Sequence, residues 1–288
     1  MLNSYKESFK KAIDTFIDHA LNEDIGSGDV TAMACLSPTI AAKAKCILRE
    51  SGVVAGVALA EMIFKSFDPS IEFQSNCTDG DFVEAGSILF EVKGLQRSIL
   101  SAERVVLNSM QRMSGIATLA RKVQRSISHT QCKVLDTRKT TPGFRIAEKW
   151  AVQIGGAINH RMGLYDMVML KDNHIDYCGS ISVALDKTFE YFKLSNQEVP
   201  IVVEVRNLNE IRECLHYSNR IERLLLDNMS PKQITEALEI IKTEIRTEAS
   251  GGITIENALS YAETGVDYIS MGSIIYDAKV LDMSLKAD

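Results

Sequence analysis

Side chains able to carry positive charge crowd into one stretch of this chain, from Asp136 to His174. They are Arg138, Lys139, Arg145, Lys149, Arg161 and Lys171, with His160 and His174, in a protein whose formal net charge is -6. Several follow directly on short apolar runs, where a parallel strand would end. Cations gathered at strand ends inside an acidic protein point to a site for a small, multiply charged anion. Arginine suits bidentate recognition of carboxylate or phosphate, and lysine acts as a compact point charge. Arg138 and Lys139 stand directly after Val134-Leu135-Asp136, and His160-Arg161 after the Gly155-Gly156 turn. Lys171 follows Met167-Val168-Met169-Leu170 and sits among Asp172, Asn173 and His174. Three roles are open to it: a Schiff-base nucleophile, an anion-binding cation, or one half of a structural ion pair with Asp172.

Two glycine loops complement the cations. Ser250-Gly251-Gly252 follows one apolar run and opens an expected helix over 255–264; Met271-Gly272-Ser273 follows the next run. Glycines let a phosphate approach backbone N–H groups, and a helix dipole favours the anion. A plain tight turn would use glycines too, but two such loops on consecutive strands fit the phosphate site of late barrel strands. Glu204 and Asp227 end two successive runs. They could do acid-base work, hold Mg²⁺, hydrogen-bond sugar hydroxyls or balance charge. Arg104 is placed in the first turn of a helix expected to start at an N-cap Ser101, where the macrodipole disfavours a cation. A bound anion would offset that cost. Gly26-Ser27-Gly28-Asp29 lacks the strand-helix context of a phosphate loop and reads as a turn at a helix end.

The elements that must position these residues divide into two kinds. Residues 43–95 contain short strand-like runs, AKCILRE, GVVAG, IEFQSN and SILFEVKG, separated by turn residues and interrupted by a helical pattern over 58–67. This reads as a small α+β unit with an antiparallel sheet. Within it DGDFVEAGSILFEVKG reads as a hairpin. From about residue 115 apolar runs alternate with amphipathic helices, through KVLD, MVML, IVVEV, RLLLD, IRTEAS and DYISM. Strand-helix alternation implies right-handed βα units and a parallel sheet. Polar and charged residues follow every one of these runs. In a (β/α) barrel all such ends meet at one face, whereas in an open sheet only those beside the switch point meet. Only about 160 residues are available against ~250 for a full barrel, so a short or incomplete barrel is expected.

Composition excludes several classes. No apolar run approaches the ~20 residues of a membrane span. The N-terminal stretch is interrupted by Lys and Asp, unlike a signal peptide, and Tyr5, Phe9, Ile13, Phe16, Ile17 and Leu21 recur at helical spacing. The six cysteines form no CxxC pair, which favours free thiols in a reducing compartment and argues against zinc. The acidic balance argues against nucleic-acid binding.

The strings EDIGSGDVTA, SAERVVLNSMQRMSGIAT, DTRKTTPGFR, GGAINHRMGLYDMVMLKDNH, VEVRN, LLLDN and EASGGI resemble the quinolinate phosphoribosyltransferases nearly end to end. Ala157 stands where that family often has a third glycine, and Trp150 where tyrosine is frequent. The resemblance implies an N-terminal α/β sandwich over 1–114 and an incomplete α/β barrel over 115–274, with a tail over 275–288 packing back on the first domain. It implies a homodimer that transfers phosphoribosyl from phosphoribosyl pyrophosphate to quinolinate with loss of CO₂, in NAD synthesis; the lack of a recognisable targeting segment favours a cytoplasmic protein. Quinolinate's two carboxylates would then meet Arg138, His160, Arg161 and, across the dimer, Arg104, with Thr137 beside them. Lys139 and Lys171 would neutralise carboxylate or pyrophosphate. Ser250, Gly251, Gly252, Met271, Gly272 and Ser273 would hold the ribose phosphate. Glu204 and Asp227 would meet the ribose hydroxyls and a Mg²⁺ carried mainly by pyrophosphate. A Schiff-base barrel enzyme, a diverged homologue tied to molybdenum uptake and a non-catalytic anion binder are the rival readings.

Overall fold

A computed structural model describes residues 7–287, so Tyr5 lies outside the described residues. The chain forms two compact units: Met1–Lys122 with Lys139–Ala157 and Ile274–Asp288, and Val123–Arg138 with Ile158–Ser273.

The first unit holds six strands: β1 (Ala41–Leu48), β2 (Gly52–Val53), β3 (Glu72–Ser75), β4 (Phe82–Val83), β5 (Ile88–Leu95) and, from the tail, Met283–Ala287. The tail strand, β1, β5 and β3 make one antiparallel sheet in that order. Alternation does the sorting, since Ala44, Cys46 and Leu48 of β1 are buried and the residues between them are not. Helix Val57–Phe67 buries Leu59, Ala60, Ile63 and Phe64, and Phe90 stacks on Phe73 with centroids 4.7 Å apart. β4 pairs with β2 in a sheet of their own, not with β5. The expected hairpin therefore does not form: β5 spends both edges on β1 and β3. Helix Lys10–Ile25 buries Ile13, Ile17 and Leu21, one stripe at helical spacing. It ends at Gly26, and Asp29 then caps helix Val30–Cys35 by accepting from Ala32 N at 2.9 Å.

The long helix runs Gln96–Ser126, so it starts well before Ser101 and crosses the boundary expected at residue 114. Ser101 is not its N-cap; its hydroxyl meets Asp29 Oδ2 at 3.0 Å. Arg104 is consequently clear of the first turn, and the dipole argument for an anion there falls away. Helix Arg145–Ile154 joins this unit through Glu148, which is fully buried. Its Oε1 accepts from Arg112 Nε at 3.1 Å and Nη2 at 3.0 Å, and its Oε2 from Thr141 N at 2.8 Å. Gly155 closes that helix where a Cβ would stand 2.6 Å from the Ala117 carbonyl oxygen, so close helix approach excludes any side chain there. Trp150 and Ala157, the two departures from the family pattern, are buried.

The second unit holds β6 (Lys133–Leu135), β7 (Val168–Leu170), β8 (Ile201–Val205), β9 (Arg223–Asp227), β10 (Arg246–Ser250) and β11 (Tyr268–Ser270). All six fall on the runs expected from sequence. They pair in parallel in the order β6-β11-β10-β9-β8-β7. First strand beside last is the circular order of a barrel, and the one pairing missing from the circle is β6 with β7. Ile158 fills part of that gap as a parallel bridge to Leu135. Helices Ile181–Ser195, Leu208–Leu215, Pro231–Ile241 and Ala258–Ala262 follow their strands. The last is shorter than expected and starts at Ala258, beyond the Gly251-Gly252 loop, so its dipole does not bear on that loop.

Glu148→Ala should destabilise the protein by about 3–5 kcal/mol, because it strands the Arg112 charge. Urea unfolding with an unchanged slope would read this loss; a cost below about 1 kcal/mol, the worth of a surface pair, would show that Glu148 does not anchor its helix.

Candidate active site

The carboxyl ends of the second unit's strands carry the chemistry. β6 and the Ile158 segment run parallel, tied by Asp136 N to Ile158 O at 3.1 Å and Ile158 N to Val134 O at 2.9 Å. Leu135 faces Ile158, so Arg138 and Arg161 each lie the same number of residues beyond the bridge. Burial, and then the charge of Arg138, hold the Arg161 guanidinium below its ordinary pKa, partly countered by Asp166. Arg161 Nη1 donates to the Met167 carbonyl at 3.1 Å. Two guanidiniums in each other's field form a place where a dianion would be stabilised. Thr137 beside them is half-buried.

His160 is buried, and its backbone N–H donates to Asp136 Oδ1 at 2.8 Å. Both of its ring nitrogens face protein groups. Nδ1 accepts from Arg161 N at 2.7 Å, and Nε2 lies 3.3 Å from Glu248 Oε2.

Lys171 Nζ donates to Glu204 Oε2 at 2.5 Å, with the lysine side chain 44% and the glutamate 6% exposed. Its ion pair is thus with Glu204 rather than with Asp172. A half-exposed lysine on a carboxylate is also not the apolar setting that activates a Schiff-base amine. Asp227 ends the neighbouring strand. Burial and then the Glu204 charge push its carboxyl above the usual aspartate range, against a hydrogen bond from Asn228. That bond runs from Asn228 Nδ2 to Asp227 Oδ2 at 2.6 Å.

The two glycine loops lie between the arginines and the acids in strand order. Asp227 pairs in register with Ser250, and Asn228 N donates to Ser250 O at 2.8 Å. Gly251 has φ +97, and a Cβ on it would stand 2.1 Å from Asn228 Oδ1. Only glycine fits, and the loop backbone is left open on its other side. On β11, Met271 is buried and its N–H donates to Leu135 O at 2.9 Å. Ser273 Oγ is buried with no hydrogen-bond partner among the described residues. A buried hydroxyl without a partner costs stability unless a ligand satisfies it.

Arg104 and Lys139 belong to the first unit, and both are exposed. Arg104 lines a cleft of about 420 Å³ with Glu23, Asp24 and Asn108.

Sequence reading missed Glu248 and Arg223. Glu248 has no exposure and Arg223 almost none. Arg223 Nη1 lies 3.2 Å from Glu248 Oε2, and its guanidinium lies over the Tyr268 ring at 4.7 Å. A signal was present. Alternation puts Glu248 on the face of Ser250, and Arg223 on the face of Asp227; charged residues on that face of an otherwise apolar strand point into the barrel.

The described residues contain no group of three or more His, Cys, Asp or Glu able to hold a metal ion. No described helix is long and apolar enough to cross a membrane.

Known proteins match this geometry over nearly the whole chain. The C-terminal domain of quinolinate phosphoribosyl transferase matches residues 116–286, and its N-terminal domain matches residues 29–114. Quinolinate phosphoribosyltransferase [decarboxylating] 1 of Nicotiana glauca is 44% identical over 286 residues, covering 94% of this chain and 81% of that protein. The probable nicotinate-nucleotide pyrophosphorylase [carboxylating] of Bacillus subtilis is 39% identical over 269 residues, covering 93% and 91%. The crystal structure of NadC from Streptococcus pyogenes superposes with a TM-score of 0.88 at 36% identity, covering 95% of each chain. With both domains matched in order and the open six-stranded barrel in place, the chain belongs to the quinolinate phosphoribosyltransferase family.

Proposed function

We propose that this protein is a nicotinate-nucleotide pyrophosphorylase (carboxylating). It joins quinolinate to phosphoribosyl pyrophosphate and releases nicotinate mononucleotide, pyrophosphate and CO₂, in NAD synthesis. The observation that carries this reading is the placement of Arg138 and Arg161 equally far beyond the Leu135–Ile158 bridge, at the mouth of the barrel. Quinolinate, with carboxylates on adjacent ring carbons, matches two neighbouring guanidiniums.

Arg138 and Arg161, with Thr137 and Lys139 beside them, bind the dicarboxylate. Arg104 enters from the partner of a homodimer. The Ser250–Gly252 and Met271–Ser273 loops hold the ribose 5-phosphate, with the Ser273 hydroxyl as a donor. Asp227 and Glu204 orient the ribose hydroxyls. Lys171 is shared between Glu204 and the departing pyrophosphate. The mutual repulsion of Glu204 and Asp227 would be relieved by a divalent cation. Two carboxylates, one already on Lys171, are too few for a complete shell, which fits Mg²⁺ held mainly by pyrophosphate and water. Bound there, the ion would neutralise leaving-group charge.

The ring nitrogen's lone pair forms the bond to the anomeric carbon as the bond to pyrophosphate breaks. Positive charge developing on the sugar is stabilised by Asp227 and Glu204, so positioning and electrostatics supply the rate. The quaternary nitrogen then accepts the electron pair of the bond to the 2-carboxylate. CO₂ leaves, and a proton takes its place on the ring carbon. No covalent intermediate with the protein is needed. A cytoplasmic setting accords with buried thiols such as Cys46 and Cys132, which burial pushes up to about 12.

Purified protein with Mg²⁺, phosphoribosyl pyrophosphate and either quinolinate or nicotinate tests the reading directly. Product from quinolinate alone is expected; product from nicotinate instead would refute the two-carboxylate site. Arg138→Ala should cost quinolinate binding about 2–5 kcal/mol by leaving a buried carboxylate poorly paired; unchanged affinity in calorimetry would remove Arg138 from the site. Mixing inactive Arg104→Ala with inactive Lys171→Ala should restore part of the activity through mixed dimers, and none returning despite subunit exchange would exclude a shared site.

Asp227→Asn separates stability from function. A carboxyl raised on folding costs stability as pH climbs from its unfolded value through its folded one, and costs nothing below both. The variant should therefore melt higher than wild type at neutral pH, with the gap closing as pH falls below the ordinary aspartate range, while turnover drops. Equal melting temperatures across that range would contradict the strain assigned to Asp227.

A further inference from the structure

Below the mouth of the barrel, Arg223, Glu248 and His160 form a buried polar line that the proposed chemistry does not use. It runs from Arg223 Nη1 to Glu248 Oε2 at 3.2 Å, from that oxygen to His160 Nε2 at 3.3 Å, and from His160 Nδ1 to Arg161 N at 2.7 Å. We propose that Glu248 is a positioning residue: it selects the His160 tautomer that anchors the Arg161 backbone, and so aims the Arg161 guanidinium at the dicarboxylate. The substrate half of this inference rests on the reaction proposed above.

The argument is one of protons. A ring nitrogen that accepts a hydrogen bond carries no proton. Because His160 Nδ1 accepts from Arg161 N, the ring proton belongs on Nε2, facing Glu248. The other tautomer would set an N–H against the Arg161 N–H and a bare nitrogen against a carboxylate. Glu248 Oε2 stands 3.3 Å from Nε2, in ion-pair range but outside hydrogen-bond geometry, and its negative charge favours the tautomer that keeps the proton on that side. Burial opposes the charge on Glu248, but His160, Arg223 and Ser270 together outweigh it and hold the carboxyl below its ordinary range. Asp136 fixes the same stretch at a second point through the His160 N–H. An apolar layer would fill this part of the barrel at least as stably, since burying an ion pair is weak support for a fold. What the charges add is a fixed direction for the residue at the end of the line, and that residue is Arg161.

Long-range proton–nitrogen NMR spectra of the wild-type protein, with His160 assigned by its loss in His160→Asn, read the tautomer without any substrate. The expected spectrum has Nε2 protonated and Nδ1 bare at neutral pH; a proton on Nδ1 would overturn the proposal. Kinetics then test the consequence. Asparagine can place its side-chain oxygen where Nδ1 stands, so His160→Asn should keep a quinolinate KM near wild type. His160→Ala and Glu248→Gln should each raise it about 10–100-fold, the usual cost of losing such a support, with the KM for phosphoribosyl pyrophosphate little changed. Failure of asparagine to rescue, or an equal rise in both KM values, would mean that His160 meets the substrate or that the line is only structural. If Glu248→Gln does not fold, the His160 pair and the spectrum still decide. Wild-type protein that shows the expected tautomer but makes no product from quinolinate would count against the reaction and not against the positioning.

Discussion

Like charges held together set the terms of this structure. Arg138 and Arg161 stand in one another's field, and burial adds to the cost of charge on Arg161. The backbones that carry these side chains are not free to drift apart. Each arginine lies the same number of residues beyond the Leu135–Ile158 bridge, between two segments tied by main-chain hydrogen bonds. Asp136, from the first segment, also holds the His160 N–H of the second. The repulsion is kept by short-range bonds on either side of it, and a doubly charged anion is what would release it.

The order of strands turns this local arrangement into a graded one. From β6 through β11, β10, β9 and β8 to β7, the strand ends present an arginine, two open glycine loops, two carboxylates and a lysine. The arginine and the two carboxylates are thus separated by uncharged loops, and the lysine closes the row beside the acids. A ligand lying along it would need an anionic end, a phosphate and a hydroxylated ring, followed by a leaving anion near Lys171. Glu204 belongs to the second like-charged pair. It raises Asp227 while giving its own Oε2 to Lys171, so each repulsion is offset in part by a neighbour of opposite sign.

Much of this was legible in the sequence because parallel strands announce themselves twice, once as an apolar run and again as the polar residues after it. All six runs became strands, and most of the residues proposed for the site stand just beyond their ends. What was not legible had specific physical causes. Ser101 resembles a helix cap in type, but the helix begins at Gln96 because Ile99, Ala102 and Val106 bury one continuous face; packing overrode the local cue. The hairpin failed because a two-residue strand carries almost no register information, and β5 had better partners on both sides. Glu248 and Arg223 were passed over because a charged residue in a short strand reads as an edge position, until alternation places it on the same face as the site. An ion pair with Asp172 was one of three roles open to Lys171, whereas the barrel supplied Glu204 from the next strand.

Under the proposed reading, the arginine pair also bears on what happens after the reaction. On the proposed chemistry, quinolinate arrives with two carboxylates and nicotinate mononucleotide leaves with one. While both carboxylates are present, each guanidinium has a counter-charge, and the field of Arg138 on Arg161 is compensated. Loss of CO₂ removes one of them while the two backbones stay held by the bridge and by the His160–Asp136 contact. One counter-charge fewer then faces the two guanidiniums, so the product is held less tightly at its ring than the substrate was. A site built from neutral donors would bind the two more nearly alike. Holding like charges at fixed positions therefore does two things at once: it favours the dianion on entry, and it weakens the hold on the monocarboxylate once the chemistry is over.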